Sequence, residues 1–145
     1  MTTKNLLIST LLATSLTLGA SSPVEFIQTT KQHSNSISTQ IAVSLHARGI
    51  EEETAHKLSQ SVINTDEELF AYMVKTFSSE TGITMKEISY ELGKMALNKK
   101  RADFSSYSFL IKLSQNVKSS YLTQKELHTI RDIATKNSMI YRTFS

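Results

Sequence analysis

The sequence contains no cysteine, no tryptophan, one proline and four glycines. The absence of cysteine excludes disulfide bonds, cysteine-based zinc sites, thiol catalysis and a lipid anchor attached through a cysteine. Because a chain without cysteine can function in either redox compartment, the compartment has to be inferred from other features of the sequence.

Signs of β-structure are also missing, since no run alternates apolar and polar residues between turn dipeptides. The composition, 39% hydrophobic and 20% charged, is that of a globular protein rather than a disordered one. The net charge of +3 falls short of what a dedicated nucleic-acid-binding protein carries on one face. We therefore expect a folded domain that does not bind nucleic acid.

The N-terminus has the organisation of a secretory signal peptide. Lys4 precedes an uncharged apolar run over residues 6–19, and the small residue Ala20 follows that run. Such a run is long enough to enter the translocon but shorter than the roughly 20 residues of a membrane span. We predict cleavage after Ala20 and an exported protein, periplasmic or secreted, with no transmembrane span in the mature form. An uncleaved anchor and a buried N-terminal helix are the alternatives.

The chain divides into a signal peptide at 1–20, a flexible N-terminal arm or linker at 21–35, and a single helical domain at 36–145. Apolar residues in the domain recur at helical spacing, with glycines Gly49 and Gly82 at the expected ends of helices. The prediction is an all-α fold, a compact bundle of about five or six short amphipathic helices. The apolar stretch from Phe104 to Val117 is expected to form its central, mostly buried helix.

Three helix starts are indicated by the capping-box pattern, in which a Thr precedes a Glu by three residues. The pairs are Thr65 with Glu68, Thr84 with Glu87, and Thr123 with Glu126. Ser34 or Ser36 is a further candidate to cap the first helix of the domain.

The segment TMKEISYELGKMALNKKR, at residues 84–101, resembles the helix-turn-helix family over about ten residues. The matching positions are Glu87, Ile88 and Leu92, with Gly93 where that family places its turn. The resemblance implies a DNA-binding regulator in which a second helix begins after Gly93.

Two lysines depart from that family's pattern. Lys94 stands just after the turn glycine, and Lys99 stands where an apolar residue would hold the recognition helix. Residues 95–97 favour a helix, so we expect one continuous helix through Gly93. A glycine inside a helix costs about 1 kcal/mol relative to alanine, which close approach of a neighbouring helix would explain.

The strongest local concentration of charge is the set Lys94, Lys99, Lys100 and Arg101. We predict that these residues bind a partner or an anion. The alternative interpretation is that cations at the C-terminal end of a helix complement the helix dipole.

Catalytic and metal sites receive little support. Glu53 and His56 form half of the Glu-x-x-His pattern found in di-iron bundles, but no second copy exists, so neither a metal nor a cofactor is expected. Ser79 and Glu80 resemble the helix end that carries the catalytic glutamate in lysozyme-like enzymes. That resemblance implies an exported hydrolase of cell-wall glycan with Glu80 as its acid.

Together these features predict an exported, non-catalytic binding or interaction module of the cell envelope or the exterior. A protein partner is the first expectation and an anionic envelope surface the second, while the sequence leaves the oligomeric state open. The alternatives are a glycan hydrolase that uses Glu80 and, less favoured, a DNA-binding regulator with a degenerate helix-turn-helix at 84–101.

Overall fold

A computed structural model describes residues 34–144, which form six α-helices with no strand. The helices are α1 (Ser34–Ala47), α2 (Glu52–Ser61), α3 (Glu67–Thr81), α4 (Met85–Leu97), α5 (Tyr107–Lys118) and α6 (Gln124–Phe144). The prediction of a compact all-α bundle is therefore confirmed. The predicted signal peptide, and the predicted arm as far as residue 33, lie outside the described residues.

The helices surround one apolar core. α1 packs mainly against α2 and α4, α6 packs across α3 and α5, and α4 also contacts α5. Every helix contributes buried side chains, among them Leu45, Ala55, Phe70, Leu92, Leu110 and Ile133. Burial of these side chains supplies the main driving force for folding.

The central helix is α3 rather than the predicted stretch from Phe104 to Val117. α3 buries Leu69, Phe70, Ala71, Met73, Val74 and Phe77. α5 buries only Leu110, Leu113 and Ser114. The reason is position, because α3 packs against α1, α4 and α6, whereas α5 packs mainly against α4 and α6.

Phe104 lies in the connection before α5, so the prediction that it belongs to that helix was wrong. Its buried ring makes edge-to-face contacts with Phe70, Phe77 and Phe109, with ring centroids 5.3, 5.9 and 5.4 Å away. Its carbonyl accepts a hydrogen bond of 3.0 Å from the side-chain amide of the buried Asn137. A connecting segment thus supplies an aromatic centre for the core.

Two of the three predicted capping boxes are confirmed. The Thr84 hydroxyl accepts from the Glu87 N–H at 3.2 Å, and the Glu87 carboxylate accepts from the Thr84 N–H at 2.9 Å. The same reciprocal pair joins Thr123 and Glu126, at 3.1 and 3.4 Å. Each pair satisfies two backbone donors that a helix start otherwise leaves without partners.

The predicted box at Thr65 and Glu68 was wrong, because Asp66 caps α3 instead. The Asp66 carboxylate accepts from the N–H groups of Glu68 and Leu69 at 3.0 and 3.3 Å. An anionic cap also interacts favourably with the positive end of the helix dipole, which favours Asp66 over its neighbour.

The C-terminal tail continues α6 to Phe144, and its Ile140 is buried while Tyr141 packs against the core. The C-terminal segment therefore packs on its own domain. Within residues 34–144, no helix combines the length and the apolar character needed to cross a membrane.

Candidate functional site

The predicted basic residues cluster around the C-terminal end of α4. Lys94 lies in its last turn, Lys99 lies with Asn98 in the turn that ends it, and Lys100 and Arg101 follow in the connection to α5. Lys99 adopts a left-handed backbone with φ of 55°. Their position near the negative end of the helix dipole fits the alternative interpretation as well as the binding one.

A groove of about 500 Å³ lies beside these residues, between α4 and α5. Its lining, which defines what we call the basic groove, is Glu91, Lys94, Met95, Asn98, Lys100, Arg101, Phe109, Lys112, Leu113 and Asn116. Three of the four predicted residues therefore share one concave surface. Lys99 is the exception, since it does not line the groove.

Lys112 is a fourth cation of the groove, and attention to local runs of charge missed it. It lies on α5, in the same stripe as Phe109, Leu113 and Asn116. That spacing of i, i+3, i+4 and i+7 marks one face of a helix. The spacing in the sequence therefore predicts that Lys112 and Phe109 lie on the same face of a helix. It does not predict that this face lies opposite α4.

The segment that carries Lys100 is fixed to the body of the protein. The Arg101 guanidinium donates to the Ile63 carbonyl at 2.9 Å. The Ala102 N–H donates to the Val62 carbonyl at 2.8 Å, which forms an isolated bridge with the segment after α2. Arg101 thus has a structural role on one side of its guanidinium, which retains further donors for a ligand.

The basic groove carries a net positive charge. Its one carboxylate, Glu91, is 7% exposed and lies 3.4 Å from the Lys94 ammonium. Within residues 37–143, no carboxylate forms an ion pair with Lys100 or Lys112. A concave surface lined by one sign of charge concentrates the field and attracts ligands of opposite charge.

The floor of the basic groove is apolar. Leu113 is buried, and Met95 and Phe109 are partly buried and pack against the core. A groove that combines an apolar floor with a few charged groups at its edge is typical of a binding site. It suits a ligand that presents both carboxylate or phosphate groups and apolar surface.

Glu53, from the predicted half-motif of Glu53 and His56, forms an ion pair rather than part of a metal site. Glu53 lies 3.4 Å from the Lys57 ammonium on the exposed surface of α2. Among residues 34–144, no three His, Asp or Glu side chains come together as metal ligands would.

Glu80 borders a cavity of only about 170 Å³ at the end of α3, below the roughly 300–1,000 Å³ of ligand pockets. Its carboxylate lies 3.0 Å from the Lys136 ammonium. The second carboxylate of the cavity, Glu126, lies 2.9 Å from Lys118. Glycan hydrolysis through Glu80 stays a prediction that this geometry does not favour.

The helix-turn-helix resemblance does not extend to the backbone. α4 runs unbroken through Gly93, as we expected, so the turn on which DNA reading would depend is not formed. A methyl group added at Gly93 would lie 3.4 Å from Ser44 Oγ and Arg48 Nη1, and 3.5 Å from Leu45 Cδ2. The close approach of α1 therefore leaves room at this position for little more than a methyl group.

Comparisons with protein families, with curated proteins and with solved structures give no match for this chain.

Proposed function

We propose that the protein is an exported, non-catalytic binding module whose basic groove takes an anionic ligand, in the first place an acidic segment of a partner protein. One observation carries the proposal: Lys94, Lys100, Arg101 and Lys112 surround an apolar floor, with Glu91 as the single carboxylate. This arrangement offers charge complementarity and apolar contact in the same place.

The helix dipole explains only part of this arrangement. The effect of the dipole is confined to the last turn of a helix. It therefore accounts for the cations at the end of α4 but not for cations elsewhere. Lys112 stands in the middle of α5, where no such benefit exists, and still lines the same groove. A shared ligand explains why cations from two helices meet over an apolar floor.

Export is the second part of the proposal, and it rests on Lys4, the apolar run at residues 6–19 and the small residue Ala20. The full chain should be expressed and the protein recovered from the envelope or the medium. N-terminal sequencing is expected to find a first residue of Ser21. Recovery of the intact chain from the cytoplasm would contradict export. It would leave the proposed binding by the basic groove unaffected.

The binding experiment uses a fluorescein-labelled peptide of consecutive glutamates and measures its anisotropy as the purified protein is added. The double variant K100Q/K112Q is expected to bind the peptide about fivefold more weakly, because each of the two exposed charge pairs contributes about 0.5 kcal/mol. Added salt should weaken the wild-type interaction, since it screens exposed charges.

The matched control is K57Q/K125Q, which removes two exposed positive charges away from the basic groove. Equal losses in the two double variants would show that net charge rather than the groove attracts the peptide. Failure of the wild type to bind the peptide, together with binding of vesicles that contain anionic lipid, would replace the protein partner by the envelope surface. Binding to neither probe would refute the proposed function.

The natural partner can then be sought by cross-linking in the native envelope. A partner of the basic groove should be recovered with the wild-type protein and with K57Q/K125Q, but at reduced yield with K100Q/K112Q. Mass spectrometry of the cross-linked material would identify it.

A further inference from the structure

A second groove, of about 590 Å³, lies along the flank of α4 that faces α1. We call it the apolar groove, after its lining residues Val43, Ala47, Met85 and Tyr90. Val43 is 62% exposed and Tyr90 is 51% exposed. A single exposed apolar side chain is ordinary, but two in one concave surface offer another molecule apolar contact.

The ring of Tyr90 is held in place by Arg48. The guanidinium of Arg48 lies 3.8 Å from the ring centroid, and its Nη2 donates to the Tyr90 carbonyl at 2.7 Å. The Lys94 ammonium lies 5.8 Å from the same centroid. A side chain that is already ordered loses little entropy when a ligand packs on it, so Tyr90 is prepared for contact.

The apolar groove is continuous with the basic groove. A shallow depression between them shares Lys86 and Tyr90 with the apolar groove, and Glu91 and Asn116 with the basic groove. The three surfaces form one path across the exposed face of α4, from α1 to α5. We call this path the α4 trough.

The α4 trough carries a net positive charge. Its cations are Arg48, Lys86, Lys94, Lys100, Arg101 and Lys112. Its carboxylates are Glu87, in the capping box of α4, and Glu91, which pairs with Lys94, so the cations outnumber the carboxylates by six to two. An occupant that matches this surface is anionic at the α5 end and carries an apolar group at the α1 end.

We infer that the α4 trough binds a single segment of a partner protein in which an apolar side chain adjoins several carboxylates. The apolar side chain packs against Val43 and Tyr90, and the carboxylates lie over Lys94, Lys100 and Lys112. The inference rests on the proposed function and specifies the chemistry of the partner.

Other anionic ligands match only part of the trough. A phosphate polymer complements the cations but has no aliphatic group to place against Val43 and Met85. A membrane surface is broad and flat, whereas the apolar groove is recessed between α1 and α4. A peptide segment can place both kinds of group along one narrow path.

The test compares two labelled peptides of equal length and charge. One carries leucine and phenylalanine ahead of a run of glutamates, and the other carries serines in their place. The wild-type protein is expected to bind the first peptide about tenfold more tightly, as burial of an apolar side chain would produce. V43S should abolish that preference, because it should weaken binding of the first peptide far more than binding of the serine peptide.

Two further variants locate the effect. M139S removes an apolar side chain that is 63% exposed on α6, and it should preserve the preference. K100Q/K112Q should lower the affinity for both peptides by similar factors. Thermal unfolding followed by circular dichroism checks that each variant is folded.

Equal affinity of the wild type for the two peptides would overturn the inference while leaving the basic groove as proposed. Retention of the preference in V43S would overturn it as well. Binding of polyphosphate or of anionic vesicles without binding of either peptide would refute a protein segment as the occupant. Failure of every probe would refute the proposed function itself.

Discussion

Lys99 ends α4 in the same left-handed position in which Gly49 ends α1, with φ of 55° and 96° respectively. The hydrogen bonds also correspond, from Lys99 to Ala96 and Lys100 to Met95 in α4, and from Gly49 to His46 and Ile50 to Leu45 in α1. Both helices thus close with a Schellman motif, but only α1 has the glycine that this motif favours.

Replacement of Lys99 by glycine should stabilise the protein. A side chain in the left-handed region costs about 1 kcal/mol, and glycine avoids that cost. We expect K99G to raise the free energy of unfolding by about that amount in urea titrations. K99A, which keeps a side chain at the same φ, is the control and should change little.

The affinity of K99G for acidic peptides should equal that of the wild type, because Lys99 does not line the basic groove. A loss of affinity comparable to that of K100Q/K112Q would place Lys99 in the binding surface after all. A variant no more stable than the wild type would contradict the strain argument.

Local signals in the sequence predicted the helices well, and long-range packing explains what they missed. The capping box at Thr84 and Glu87 could be found because both partners lie within four residues. The role of Lys112 could not, because it depends on which face of α5 lies opposite α4. Phe104 was assigned to a helix since apolar spacing cannot distinguish a helical residue from a loop residue that fills the core.

Asp66 and Thr65 offer a direct test of which residue caps α3. D66A should lower the free energy of unfolding by about 1 kcal/mol, because it removes the acceptor for two N–H groups of the first turn. T65A should change it by less than about 0.5 kcal/mol, as is usual for surface substitutions. The two values come from urea unfolding at neutral pH, and a larger loss in T65A would restore the capping box that the sequence first indicated.

Glu126 makes stability depend on acid pH. The pKa of its carboxyl is lowered from the ordinary 4.5, first because the Lys118 ammonium donates to it, and further because the N–H and hydroxyl of Thr123 do so. Since the folded pKa lies below the unfolded one, this stabilisation is present above the unfolded pKa and is lost as the pH falls through the folded pKa.

E126Q should therefore show a shallower loss of stability below pH 4.5 than the wild type. The glutamine oxygen can still accept from Thr123, so the change mainly removes the charge. K118Q removes the largest cause of the shift and should also flatten the profile. The measurement is urea unfolding over a series of pH values, and parallel profiles for all three proteins would contradict this assignment.

Gly93 tests the approach of α1 to α4, on which the apolar groove depends. A methyl group would meet Ser44 and Arg48 at 3.4 Å, which is ordinary van der Waals contact. The gain in helix propensity is about 1 kcal/mol, so G93A should raise the free energy of unfolding by up to that amount. A leucine side chain cannot fit between the helices, so G93L should lower the free energy of unfolding by about 1–3 kcal/mol.

Because G93L forces Arg48 away from Tyr90, it should also reduce the preference for the apolar acidic peptide, which G93A should keep. A destabilised G93A with an unchanged G93L would show that the helices are not packed in this way.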